Sequence, residues 1–132
     1  MNHSFSSQTR QAALVVALST VLLGGCASIG SAPAQVADGV LTGPKGMTLY
    51  TFDKDVAGSA KSVCNGPCAT NWPPLMAADA DKASGEYSII TRDDGSRQWA
   101  IKGKPLYYWV KDSKPGDKTG DGFNKLWQVA RP

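Results

Sequence analysis

Histidine is almost absent from this sequence, and its scarcity limits the chemistry available to the chain. The one histidine among the 132 residues is His3, close to the N-terminus. Without an imidazole, the rest of the chain lacks a general base with a pKa near neutrality, a Ser-His-Asp triad and a histidine ligand for zinc. We therefore expect that the protein is not an enzyme, and that it binds neither a cofactor nor a metal ion.

A large excess of charge of one sign is also missing. Lysine and arginine number 14 against 11 acidic residues, a formal net charge of +3. So small an excess does not indicate a nucleic-acid partner. Glycine-rich phosphate loops and dinucleotide fingerprints are absent as well. A chain of this length has room for a single domain.

The N-terminal region contains the longest apolar run, Ala12 to Leu23, which is shorter than the roughly 20 residues that span a bilayer. Arg10 precedes it, and Leu23-Gly24-Gly25-Cys26 ends it. This order resembles a lipoprotein signal peptide, in which the cysteine after the cleavage site receives lipid. The alternative, an ordinary secretory signal with an incidental cysteine, explains fewer of these features. We predict a signal peptide over residues 1–25 and lipid attachment at Cys26.

Small and polar residues follow Cys26 as far as Asp38. This composition is typical of a flexible tether, so we place the tether at residues 26–38 and the folded domain at residues 39–132. Several acyl chains would hold the protein firmly on a membrane. Because Ala27 is not aspartate, the general sorting rule for lipoproteins favours the outer membrane, facing the periplasm, in a host with two membranes.

The three cysteines divide into one for lipid and a pair, Cys64 and Cys68. Export to an oxidising compartment favours a disulfide between them, and Asn65-Gly66-Pro67 is a turn-forming triplet that can bring them together. A redox-active dithiol, a soft-metal site and two free thiols are the alternatives. We favour the structural disulfide, because the pair has no third soft ligand close by in the sequence.

Short runs of aromatic, β-branched and aliphatic residues alternate with Gly, Pro and Asp turns along the domain. They predict strands at 47–53, 87–92, 97–101, 106–110 and 125–130. The middle three should form an antiparallel meander, with tight connections at 93–96 and 102–105. Helix should be confined to short segments near 68–72 and 77–84. The fold class is thus mainly β, a small antiparallel domain with little helix.

An internal repeat is the most informative feature. Residues 46–55 and residues 103–112 both read Gly-x-x-Leu-Tyr-x-aromatic-x-x-Asp, 57 residues apart, and each copy is followed by a tryptophan, Trp72 or Trp127. So many matched positions indicate that the domain is built from two repeats of one β unit.

The motif residues are candidate site residues. They are Tyr50, Phe52 and Asp55 in the first copy and Tyr107, Trp109 and Asp112 in the second. In an extended strand the two aromatic residues of each copy share one face, and the preceding leucine lies on the other. We favour core packing by the aromatics and turn capping by the aspartates over two ligand-binding pockets. The aspartates of the loop at 112–122 could bind calcium, but its lysines favour a plain loop.

The two Tyr-x-[Phe/Trp/Tyr]-x-x-Asp motifs, the string Cys64-x-Gly-x-Cys-Ala-x-x-Trp-Pro-Pro-Leu75 and the segment from Asp94 to Ala100 resemble the bacterial secreted-repeat lipoproteins. The likeness extends over nearly all of Gly39 to Val129. It implies a two-repeat architecture and a place in the cell envelope, and no established activity comes with it. In this chain the cysteine-rich insertion lies in the first repeat alone.

Together these features predict a membrane-anchored envelope lipoprotein whose domain is a non-catalytic binding or structural module. The alternative is a redox or soft-metal-handling envelope protein that uses Cys64 and Cys68. The expected partners are the membrane, through the lipid, and another envelope protein or polymer, with no nucleic acid among them.

Overall fold

The structure, a computed structural model, describes residues 32–132. Within this range the chain forms short strands joined by turns, one helix of five residues and one 3-10 turn at Phe123–Lys125, so the prediction of a mainly β fold with little helix is confirmed. No helix in this part of the chain is long and apolar enough to cross a membrane. The elements in chain order are β1 (Gln35–Ala37), β2 (Val40–Thr42), β3 (Tyr50–Phe52), α1 (Pro67–Asn71), β4 (Tyr87–Thr91), β5 (Arg97–Ile101), β6 (Lys104–Pro105) and β7 (Trp127–Val129).

All strand pairs are antiparallel. β1 pairs with β2, β3 pairs with β7, and β4, β5 and β6 form a three-stranded sheet in that order. The hairpin between β4 and β5 turns through Asp93 to Ser96, as predicted. Between β5 and β6 the chain turns at Lys102 and Gly103, which have φ of 48° and 78°. Two successive positive φ angles are typical of the tight turns that suit twisted strands.

The third strand of the meander lies earlier than the sequence predicts. Lys104–Pro105 pairs with β5, and the N–H of Leu106 still donates to the carbonyl of Trp99 (2.9 Å), but the rest of the segment 106–110, predicted as the strand, leaves that sheet. Tyr107 instead bridges Tyr50 on one side and Pro74 on the other. The prediction was wrong here because these distant partners compete successfully with the neighbouring hairpin strand.

The folded domain also begins earlier than the predicted tether boundary. Ala34 is buried in the core, and Gln35 to Ala37 form β1, which pairs with β2 across a turn at Asp38 and Gly39. The residues of β1 are themselves exposed, so the strand has no amphipathic pattern for sequence analysis to detect. Residues 77–84, predicted as partly helical, contain no helix and follow an irregular path with one turn at 79–80.

The two repeats meet where the motif tyrosines lie side by side. The backbone N–H of Tyr50 donates to the carbonyl of Tyr107 (2.8 Å), and the N–H of Tyr107 donates to the carbonyl of Tyr50 (2.9 Å). Each motif segment then pairs with the tryptophan segment of the other repeat. β3 pairs with β7 around Trp127, and Tyr108 N–H donates to the carbonyl of Pro73 (2.7 Å), next to Trp72. The two repeats are therefore interlocked and do not form two separate units that lie side by side.

Two hydrophobic clusters form the core. Successive side chains of each motif segment point alternately into one cluster and the other. Leu49 and Leu106 belong to one cluster, with Trp99 and Leu75. Tyr50 and Tyr107 belong to the other, with the buried tryptophans. Successive side chains of an extended segment point to opposite faces, which explains this division. The prediction that leucine and aromatic residues lie on opposite faces is confirmed.

Candidate functional site

The motif tyrosines and aspartates form two hydrogen-bonded pairs that cross between the repeats. The hydroxyl of Tyr50 donates to Asp112 Oδ2 (2.6 Å), and the hydroxyl of Tyr107 donates to Asp55 Oδ2 (2.5 Å). Both tyrosines are fully buried, and the two aspartates are 7% and 8% exposed. Each aspartate follows the aromatic residues of its own motif, where the interlocked pairing brings the other repeat's tyrosine within reach. We call these the Tyr–Asp pairs.

Each aspartate also caps a loop through its second oxygen. Asp55 Oδ1 accepts the backbone N–H of Val63 (2.8 Å), and Asp112 Oδ1 accepts the N–H (3.0 Å) and the hydroxyl (2.6 Å) of Thr119. A buried carboxylate needs such partners to offset the loss of hydration. The aspartates thus combine the predicted capping role with a cross-repeat contact that the sequence did not indicate.

Burial controls the acid–base behaviour of these groups. It raises the pKa of both Tyr50 and Tyr107, and the hydrogen bond that each donates to an aspartate raises it further. Burial also raises the pKa of Asp55, although its hydrogen bonds with Tyr107 and Val63 and the nearby charge of Arg92 act in the opposite direction. The phenols therefore stay protonated in the folded domain and act as permanent donors.

Four aromatic side chains from the two repeats form a continuous stack, which we call the aromatic stack. Phe52 stacks on Trp127 (ring centroids 4.2 Å apart), Trp127 on Trp72 (3.8 Å), and Trp72 on Trp109 (4.0 Å). The order is symmetric, because each motif aromatic covers the other repeat's tryptophan. Stacked rings in a core add about 0.5–1.5 kcal/mol per pair beyond the burial of their area.

Gly120 is fitted to this stack by its lack of a side chain. A Cβ atom at this position would lie 2.7 Å from Trp72 Cη2 and 3.0 Å from Trp109. Its backbone N–H donates to the hydroxyl of Tyr50 (3.3 Å). The close approach therefore satisfies the tyrosine oxygen and lets the loop cover the stack.

The cysteine pair forms a disulfide, as the sequence predicts. Cys64 and Cys68 have Cα atoms 5.2 Å apart, and Cys68 is the second residue of α1. Cys64 is fully buried within the cluster that contains the aromatic stack, whereas Cys68 is half-buried. The bond thus fastens α1 and the following tryptophan segment to the core.

A buried arginine organises the chain around this disulfide. Arg92, 6% exposed, donates to Gln98 Oε1 (2.7 Å), to Ser62 Oγ (3.0 Å) and to the carbonyl of Cys64. Ser62 in turn hydrogen bonds to the hydroxyl of Tyr107 (2.6 Å). Since Tyr107 donates to Asp55, this arginine network links a buried cation to a buried carboxylate through two hydroxyl groups.

An apolar groove lies outside this core. Its volume is about 540 Å³, and it is lined by Pro44, Lys45, Met47, Pro73, Pro74, Leu75, Met76 and Tyr108. Met76 is 51% exposed. The ring of Tyr108 reaches back to Gly43, where any side chain would collide with its hydroxyl. Lys45 is the one charged residue of the lining.

The structure brings the six motif residues of the sequence analysis into one buried cluster, beside the Cys64–Cys68 disulfide. Cys26 lies outside the described residues. Sequence reasoning missed Arg92 and Ser62, and it noted Trp72 and Trp127 as repeat markers without assigning them to the stack. The matched spacing of those tryptophans was the available signal. Arg92 gave none, because arginine is rarely buried and all of its acceptors except Gln98 lie in a distant segment.

Comparison with known proteins identifies the repeat. A family model described as a secreted repeat of unknown function matches the chain twice, over residues 33–76 and 88–131. Each match contains one copy of the motif. Neither the curated proteins nor the solved structures contain a match.

Proposed function

The chain belongs to the family of secreted repeats of unknown function, and we propose on that premise that it is a membrane-anchored envelope lipoprotein with a non-catalytic binding or structural domain. The main support for a non-catalytic role is the enclosure of the Tyr–Asp pairs. The phenol and carboxylate groups of the two motifs bind each other in the core, and a catalytic group must instead reach its substrate.

The proposed anchor is lipid on Cys26, after removal of residues 1–25. The support is the order of Arg10, the apolar run and Leu23-Gly24-Gly25-Cys26 in the sequence. Lipid would hold the domain on the membrane, on the periplasmic face of the outer membrane in a host with two membranes. Its partners there would be the lipid surface and another envelope protein or polymer.

Replacement of the proposed lipidation site tests the anchor. The Cys26→Ser variant should lose metabolic labelling with a fatty acid and move from the membrane fraction to the soluble fraction. Its Cys64–Cys68 disulfide should still form, which gives an internal control for export and folding. Mass spectrometry that finds an unmodified Cys26 in the mature wild-type chain would contradict the proposal.

The redox or soft-metal alternative rests on the half-buried position of Cys68. Solvent can reach the disulfide from that side, as a redox exchange requires. The burial of Cys64 and its position in the arginine network favour a structural bond instead. Thiol trapping in intact cells separates the two roles. A structural bond should be fully oxidised under all growth conditions, whereas a redox role requires a reversible reduced fraction and a soft-metal role requires stoichiometric copper on the purified protein.

A further inference from the structure

The apolar groove lies next to the point where the described chain begins. Ala32 and Pro33 line a neighbouring hollow together with Pro44, Leu75 and Met76, three residues that also line the groove. The N-terminal entry to the domain and the groove therefore share a wall.

The distance to the proposed anchor is short. Cys26 lies six residues before Ala32. At no more than about 3.6 Å per residue, a fully extended segment of that length spans about 20 Å. A lipid on Cys26 would thus keep Ala32, whose hollow adjoins the groove, within about 20 Å of the bilayer surface.

The groove has the chemistry of a membrane-interface contact. Met47, Met76 and the prolines offer apolar surface, while Tyr108 combines an aromatic ring with a polar hydroxyl. The flexible chain of Lys45 can lie along apolar surface and place its ammonium group among lipid phosphates. The phenol and carboxylate groups of the Tyr–Asp pairs lie elsewhere, in the core.

We propose that this groove docks on the surface of the membrane that carries the anchor, and so fixes the orientation of the domain on it. The inference rests on the proposed lipidation of Cys26. A contact of this size is weak by itself, but a short tether makes docking intramolecular and raises the effective concentration of lipid around the groove. The lipid surface is a better occupant than the protein's own acyl chains, because chains withdrawn from the bilayer give up the burial that they already have.

A polarity-sensitive fluorophore on the groove tests the proposal. Met76→Cys supplies the attachment site in the lipidated full-length protein, since lipid blocks Cys26 and the disulfide occupies the other two cysteines. Val56→Cys supplies the matched control, because Val56 is apolar and 69% exposed but does not line the groove. Both proteins are reconstituted in phosphatidylcholine vesicles, with and without phosphatidylglycerol and with a quencher attached to the lipid chains.

We expect the Met76→Cys probe to shift its emission to the blue and to be quenched from the lipid, while the Val56→Cys probe does neither. Lys45→Glu should reduce the quenching at position 76, most in vesicles with phosphatidylglycerol, without releasing the protein from the vesicles. A protein that floats with the vesicles but keeps its groove probe in water would overturn the docking and leave the anchor proposal intact. Failure of the wild type to float would overturn both. A blue shift without vesicles that grows with protein concentration would overturn the docking in favour of a second copy.

Discussion

Each motif tyrosine donates its hydroxyl proton to an aspartate of the other repeat, so the two residues of a pair stabilise the domain jointly. The members of a pair are 62 and 52 residues apart in the chain, whereas the tyrosine and aspartate of one motif are neighbours in sequence without such a bond. Loss of either member leaves a buried hydroxyl or carboxylate oxygen of the other without this hydrogen bond, which costs about 1–3 kcal/mol. The motif residues of each repeat are therefore stabilised by the motif residues of the other repeat.

Double-mutant cycles can measure this cross-repeat coupling. Tyr50→Phe combined with Asp112→Asn should show a coupling energy of about 0.5–3 kcal/mol in urea unfolding, because both changes affect one hydrogen bond. Tyr50→Phe combined with Asp55→Asn is the matched control, since these residues belong to different pairs, and its effects should add. If Tyr50→Phe were coupled to Asp55→Asn but additive with Asp112→Asn, the observed pairing would be refuted.

The buried phenols also make the stability of the domain sensitive to alkaline pH. Burial raises the pKa of Tyr50 and Tyr107 above the usual value of about 10, so the folded state holds these protons more tightly than the unfolded state. Their contribution to stability is complete below pH of about 10 and is lost as the pH rises towards the folded pKa.

We therefore expect the melting temperature to fall as the pH is raised above about 10. Replacement of both tyrosines by phenylalanine should make the melting temperature lower at neutral pH and less dependent on pH in the alkaline range. Absorbance of tyrosinate provides an independent readout, because the folded protein should ionise these phenols only as it unfolds. The protein has four tyrosines, so ionisation of more than two of them near pH 10 with the fold intact would contradict this expectation.

Among the elements, the aromatic stack connects β3 and β7 with the segment after α1. Trp109 is 7% exposed and Phe52 is half-buried, although the two residues occupy equivalent motif positions. The two ends of the stack should therefore contribute unequally to stability.

Trp109→Ala should lower the free energy of unfolding by about 3–5 kcal/mol, as expected for a large buried aromatic. Phe52→Ala should cost less, because part of its ring is already in contact with water. Chemical denaturation with tryptophan fluorescence measures both. Equal losses of unfolding free energy, or a larger loss for Phe52→Ala, would contradict the expectation that Trp109 contributes more than Phe52 because its ring is more buried.

The elements that the sequence predicts correctly are those with local signals. Alternation placed Leu49 and Tyr50 on opposite faces, and the Asp-Asp-Gly-Ser turn fixed the hairpin of β4 and β5. The pairing partner of each motif strand could not be predicted, because both copies present the same residues at the same spacing. The strand β1 and the buried side chain of Arg92 also escaped prediction. β1 is stabilised by its pairing with β2, and Arg92 by Gln98 and by residues 62–65.

At the scale of the whole molecule, the contacts around the motif residues require both repeats. β3 of the first repeat pairs with β7 of the second, and the stack and the Tyr–Asp pairs alternate between the repeats. The linking residues 77–87 lie between the two matched repeats. Neither repeat encloses its own motif.

Division of the chain in this linker tests that dependence. Fragments 32–82 and 83–132 should each be largely unfolded alone, and an equimolar mixture should recover the cooperative melt of the intact domain. Circular dichroism can follow the reassembly, because Trp72 and Trp127 come from different fragments and stack at 3.8 Å. A fragment that melts cooperatively alone would show that one repeat suffices.

A single repeat by itself would leave a phenol, a carboxylate and a strand edge without partners, and an identical copy related by a two-fold axis could satisfy all three. A single-repeat unit with this geometry would be an isologous homodimer, whose folding depends on protein concentration. Two units in one polypeptide are free of that dependence. Because each motif needs the motif of another repeat, a chain with an odd number of repeats has one motif without a counterpart. A second chain must supply that counterpart.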